Sequence, residues 1–149
     1  MSHVLIIDDN TAVATALDVL FSLHDIDTQH AESPQAGLAR LEEQGFDLVI
    51  QDMNFSADTT SGEEGQALFA QIRRRHPDLP VILLTAWTHL GSAVELVKAG
   101  AADYIAKPWD DRKLLTTVNN LLELSETRRE LDRRRERERR GREALAARY

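Results

Sequence analysis

Five times along this chain a short aliphatic run is followed by a stretch patterned for a helix, and that alternation leaves few folds open. Val4–Ile7, Leu48–Ile50 and Val81–Leu84 are compact apolar runs. Runs this short, bounded by turn signals, suit strands buried on both faces of a parallel sheet. Thr28–Ala31 is weaker and reads as an edge strand, and Tyr104–Ala106 is a fifth strand, broken by Lys107-Pro108. Asn10 or Thr11 caps a first helix with Val13, Ala16, Leu17, Leu20 and Phe21 as its apolar positions. Ser33-Pro34 opens a second helix, which carries Leu38 and Leu41 and stops at Gly45. A polar loop runs to about Gly65, and Leu68, Phe69 and Ile72 mark a third helix. A fourth runs from about His89 to Ala99 and ends at Gly100.

Strand and helix in this order predict an α/β fold, a parallel sheet with helices on both faces and right-handed crossovers. In such sheets the site lies beyond the carboxyl ends of the strands, where the strand order reverses. The residues ending the first, third, fourth and fifth strands are Asp8-Asp9, Asp52, Thr85 and Lys107, so these are expected to converge in one cleft. Carboxylates gathered there repel: a like-charged pair about 4 Å apart costs about 4 kcal/mol at an effective dielectric near 20. A hard cation relieves that, and oxygen-only ligation with room for water and phosphate suits Mg²⁺. Asp9 and Asp52 are expected to bind it directly and Asp8 through water, with the Asn54 backbone carbonyl completing the protein's share. A carboxylate is also a competent nucleophile, giving an aspartyl-phosphate. Phosphoryl transfer needs little beyond alignment and charge neutralisation, which Mg²⁺ and the Lys107 ammonium supply. The Thr85 hydroxyl is a donor that a new phosphoryl oxygen can recruit. Taken singly each residue has a plain structural reading: Asp-Asp as a cap or turn, Thr-Ala as a strand end, Lys-Pro as a turn, Tyr104 as core. Their joint order at successive strand ends is what points to chemistry.

Through "VLIIDDN", "DLVIQDMN", "VILLTA" and "DYIAKPW", the chain from about Val4 to Leu124 resembles the receiver domain of two-component response regulators. The resemblance implies a flavodoxin-like, doubly wound five-stranded sheet in the order 2-1-3-4-5, with a C-terminal helical extension. It implies that Asp8 and Asp9 bind Mg²⁺, that a sensor histidine kinase phosphorylates Asp52, and that Lys107 contacts the phosphoryl group. Thr85 and Tyr104 are then a switch pair, and the Lys107–Pro108 peptide is expected to be cis. One segment departs: "DMNFSADTTSGEEG" is about five residues longer than the usual receiver loop and lacks the usual proline after Asn54. That loop, "KPWDDRKLL" and the long helix after it look like receivers that precede sigma-54-dependent AAA+ transcription activators.

The chain divides by charge. Residues 1–124 carry 19 acidic against 8 basic side chains, and residues 125–149 carry 6 against 10. The acidic body, read as the receiver domain, is a poor ligand for nucleic acid, because it repels phosphates. The basic tail reads as a solvated helical linker toward an effector domain missing from this sequence. Leu124, Leu131 and Leu145 form only a sparse heptad seam, and Glu130–Arg134, Glu136–Arg140 and Glu138–Arg142 are i,i+4 pairs. Gly141 is a candidate end for that helix. There is no cysteine, which excludes disulfides and thiolate chemistry, and the five histidines have no metal-like spacing and read as surface or incidental. No apolar run is long enough to span a bilayer, and the strand beginning at Val4 leaves no room for a signal peptide. A cytoplasmic switch that forms a homodimer and controls transcription is the function expected. A stand-alone receiver acting by protein–protein interaction is the alternative. A Mg²⁺-dependent aspartate phosphatase fits less well, because its second aspartate follows the nucleophile by two residues and here Asp8-Asp9-Asn10-Thr11 breaks that pattern.

Overall fold

The computed structural model describes residues 2–53, 63–86 and 90–147. Ten elements alternate: β1 (Ser2–Ile7), α1 (Thr11–Ser22), β2 (Ile26–Ala31), α2 (Pro34–Glu43), β3 (Leu48–Asp52), α3 (Glu63–Arg75), β4 (Val81–Ala86), α4 (Leu90–Lys98), β5 (Asp103–Lys107) and α5 (Asp111–Ala147). The strands form one sheet in the order β2-β1-β3-β4-β5, and every neighbouring pair is parallel.

Period-two alternation sends successive strand residues to opposite faces, and here both faces are apolar. Val4, Ile6, Leu48, Ile50, Ile82 and Leu84 pack with Leu17 and Phe21 of α1 and Leu114 and Val118 of α5. Leu5, Ile7, Val49, Val81 and Leu83 pack with Leu41 of α2, Leu68, Phe69 and Ile72 of α3 and Ala93 of α4. The sheet is therefore doubly wound. The chain starts on β1, steps to β2 on one side, then crosses to β3 on the other, and this reversal opens a crevice at the carboxyl ends of β1 and β3.

Several local expectations are corrected by the structure. The edge strand β2 begins at Ile26, two residues before Thr28, because Ile26 is buried and pairs with Ser2 while the exposed Asp27 interrupts the apolar run. On α1 the buried stripe is Ala14, Leu17 and Phe21, and Ala16 faces solvent. The spacing from Leu17 back to Ala14 keeps one helical face, and Ala16 lies off it. Finally, Gly141 does not end α5, which continues to Ala147. A lone glycine costs about 1 kcal/mol in a helix and does not by itself break one.

The α3–β4 and α4–β5 turns are tied together. Gly100 adopts φ +120°, outside the range of most L-residues, and the N–H of Ala101 returns to the Leu96 carbonyl at 3.0 Å, closing α4. The Arg73 guanidinium lies over the Phe69 ring at 5.3 Å and donates to the carbonyls of Pro77, Leu79 and Gly100 at 2.7, 3.0 and 3.2 Å. Burial lowers its pKa, with Asp78 acting the other way.

α5 is two different helices in one. Leu114, Val118 and Leu122 hold its first turns on the sheet, and beyond Leu122 no described side chain is buried. Among the described residues, no helix is long and apolar enough to cross a membrane.

Candidate functional site

The turn after β1 is shaped by its own side chains. The N–H of Asp8 extends the sheet ladder to the Ala31 carbonyl at 3.0 Å, and Asp8 Oδ1 accepts the N–H of Asn10 at 2.8 Å. Asn10, rather than Thr11, caps α1, accepting from the N–H groups of Ala12 and Val13. The acidic pair is thereby fixed where strand turns into helix. Asp52 ends β3 and pairs with Leu84 of β4, Thr85 follows Leu84, and Lys107 ends β5 opposite Ala86.

The fold brings these strand ends together. Carboxylate oxygens of Asp8, Asp9 and Asp52 lie within 4.8 Å of one another. Asp8 and Asp52 are 0% and 1% exposed, and Asp9 is half-buried. The Lys107 ammonium bridges the two buried acids, 3.2 Å from Asp8 Oδ2 and 3.1 Å from Asp52 Oδ1. Burial pushes the lysine pKa down, but the charges and hydrogen bonds of Asp52 and Asp8 together outweigh it and hold the pKa above its ordinary value. Lys107 is therefore a fixed cation at neutral pH.

Three carboxylates against one ammonium leave two negative formal charges in a cleft of hard oxygen donors. That donor set fits a divalent, oxygen-preferring cation such as Mg²⁺. Asn54, the expected source of a backbone carbonyl, lies outside the described residues. So do most of the long loop and His89.

The remaining predicted residues flank the cleft. Thr85 is fully buried, and its hydroxyl already donates to the Ala86 carbonyl at 3.3 Å, so recruitment by a phosphoryl group would exchange one acceptor for another. Tyr104 pairs with Leu83 and is half-buried against the core on the α2–α4 face. The Lys107–Pro108 peptide is cis.

The roles of three residues in this neighbourhood escaped the sequence reading. Gln51, fully buried beside Asp52, donates through Nε2 to the Gly65 carbonyl at 2.8 Å and so ties the first turn of α3 to β3. Gly65 is required there, because a Cβ would lie 2.7 Å from the Met53 carbonyl oxygen. The available signal was a polar residue inside an apolar run. His30 is the third: it is half-buried, and its Nε2 lies 2.6 Å from the Asp8 carbonyl oxygen. It is partly exposed, yet its ring is tied to the main chain of the acidic pair.

Comparison with known proteins agrees with this fold. The family described as response regulator receiver domain matches residues 4–119. The response regulator protein FleR of Pseudomonas aeruginosa is 38% identical over 117 residues, covering 78% of this chain and 24% of FleR. Transcriptional regulatory protein ZraR of Salmonella typhimurium is 33% identical over 119 residues, covering 80% and 26%. The chain thus spans about a quarter of the length of these curated relatives. Among solved structures, the N-terminal signal receiver domain of a two-component response regulator from Bacteroides fragilis superposes with a TM-score of 0.74 at 36% identity, covering 82% of this chain and 97% of that one. NtrX from Brucella abortus superposes at 0.79 and 26% identity, covering 91% and 29%. By sequence and by fold, this chain belongs to the response regulator receiver domain family.

Proposed function

We propose that this receiver accepts a phosphoryl group on Asp52 from the phosphohistidine of a sensor histidine kinase. The observation that carries the reading is the Lys107 ammonium bridging Asp8 and Asp52 while Asp9 completes a three-carboxylate cluster. An Asp52 carboxylate oxygen forms the new bond to phosphorus as the bond to the donor nitrogen breaks, and the electron pair leaves with the imidazole. Lys107, already placed against Asp52, balances charge that reaches the aspartyl-phosphate. Asp8, Asp9 and Asp52 would hold Mg²⁺, with the Asn54 carbonyl as a further ligand; when bound, the metal supplies charge neutralisation for the transferring group. The reading makes the protein a switch rather than an enzyme with turnover on a substrate pool.

Output is proposed to run through Thr85 and Tyr104. A phosphoryl oxygen competes with the Ala86 carbonyl for the Thr85 hydroxyl, and Tyr104, on the neighbouring strand, changes place with it. Only a contact made better in one state than the other can shift the equilibrium, and this exchange supplies one. The face built from β4, α4 and β5 then presents a homodimer surface. Residues 1–124 act as the receiver, and the rest of α5 as a linker to an effector, possession of which is supported by relatives about three times as long as this chain and, in subclass, by the likeness to receivers of sigma-54 activators. A cytoplasmic setting follows from such partners.

The test is incubation with an acyl phosphate and Mg²⁺ followed by intact mass measurement. Wild type should gain one phosphoryl group and Asp52→Asn none; equal labelling of the variant would remove Asp52 from this role.

A further inference from the structure

β2 grips Asp8 from both sides of its main chain. Ala31 accepts the Asp8 N–H at 3.0 Å, and His30, the residue before it, has its Nε2 2.6 Å from the Asp8 carbonyl oxygen. A carbonyl only accepts, so the Nε2 of His30 carries the proton and donates. The Asp8 carboxylate is held as well, by the Asn10 N–H and by Lys107. Among these contacts the one from His30 has a consequence for a different residue. The carbonyl it holds belongs to the peptide joining Asp8 to Asp9. That unit is planar, so fixing its oxygen fixes the direction in which the chain enters Asp9, whose half-buried carboxylate completes the cluster.

We infer that His30 is a positioning residue for the metal site: by holding the Asp8–Asp9 peptide plane it sets where the Asp9 carboxylate lies relative to Asp52. The inference rests on the reading that these carboxylates bind a divalent cation. It adds that affinity depends on an N–H donor from β2 that lies outside the carboxylate cluster. Second-layer hydrogen bonds to ligand-bearing groups have this effect in metal sites generally, at about tenfold to a hundredfold in affinity. The ring stands beside a cleft of about 270 Å³ that also borders Ile6 and Ala14, so replacements of similar or smaller size are accommodated there.

The experiment is calorimetric titration of the full chain with Mg²⁺ alone, together with thermal unfolding in chelator. His30→Phe keeps a ring and loses the donor; His30→Ala is a second donor-free variant; His30→Gln restores an N–H at similar reach. Both donor-free variants should bind Mg²⁺ about tenfold more weakly, and His30→Gln should recover to within about threefold of wild type. Wild-type affinity in a folded donor-free variant would overturn the inference even if thermal stability fell, since that pattern marks a purely structural bond. So would a His30→Gln variant as weak as His30→Phe. Asp9→Ala separates the two layers of argument: if it leaves Mg²⁺ affinity unchanged, the metal reading itself fails, whatever His30 does.

Discussion

At the carboxyl ends of the strands, Lys107 is paired with two aspartates that are 0% and 1% exposed. At the amino ends, Arg129 of α5 is paired with Asp47, just before β3, at 2.8 Å, with 57% and 16% of the side chains exposed. Further along α5, Glu136 pairs with Arg139 and Arg140, and Glu130 with Arg133 and Arg134, all within one helix. The same chemistry has different weight in these places. Attraction grows as the surroundings lose water, and so does the penalty for an unpaired charge. The cleft pair is a commitment of the fold, because its acids are shut away from bulk water. The helix pairs are adjustments that water and salt can replace. Asp47 stands between the two cases: its Oδ2 accepts the His3 N–H at 2.8 Å, so the arginine docks on a carboxylate that the sheet has already placed.

The largest effect that would break this contrast is in phosphoryl acceptance. Asp52→Asn should abolish labelling, whereas Arg129→Ala should leave it within about twofold of wild type, as expected for an exposed pair at the far end of the sheet. Loss of labelling in the Arg129 variant would mean that the two ends are coupled.

Stability should separate the regions next. Lys107→Met leaves two buried carboxylates without their cation and should destabilise the metal-free protein by about 3 kcal/mol in urea unfolding, with part of that recovered in Mg²⁺. The pH dependence sharpens the same point. The folded-state pKa of Lys107 is raised, so its contribution is fully present at and below the ordinary lysine value of 10.5 and is lost only as pH climbs through the higher folded value. The stability gap between wild type and Lys107→Met should therefore stay level from neutral pH upward and close only in strongly alkaline buffer. A gap that closes near neutrality would contradict the assigned charge state.

The smallest effect belongs to the helix. Arg129→Ala and Asp47→Ala should each cost about 1 kcal/mol or less, with Asp47→Ala the larger because it also removes the acceptor for the His3 N–H. Raising the salt concentration should weaken the Arg129 contribution and leave that of Lys107 nearly unchanged. Helicity beyond Leu122, read by circular dichroism of the full chain, should fall with salt for the same reason.

Much of the site was legible because it is written locally. A strand that ends in Asp8-Asp9, another in Asp52, and others at Thr85 and Lys107 each declare themselves in a few residues, and parallel winding supplies the convergence. The doubly wound sheet follows equally from runs apolar on both faces. The i,i+4 spacing in the tail marked Glu130–Arg134 and Glu136–Arg140, which form. It also marked Glu138–Arg142, which is not an ion pair among the described residues; Arg139 instead reaches Glu143.

The remaining contacts join residues far apart along the chain. His30 meets the Asp8 carbonyl across 22 residues and Gln51 meets the Gly65 carbonyl across 14, each bonding to a backbone group that every residue type possesses. Such a bond leaves no complementary partner to recognise in the sequence. The choice of Asp47 by Arg129 is similar, since α5 offers many arginines and the fold places one of them beside a carboxylate held by His3. Which chemical groups stand at the strand ends is a local matter, because side-chain identity and period-two burial are local properties. The tertiary structure decided how those groups are aimed, because aim depends on hydrogen bonds and burial contributed by strands and helices distant in the chain.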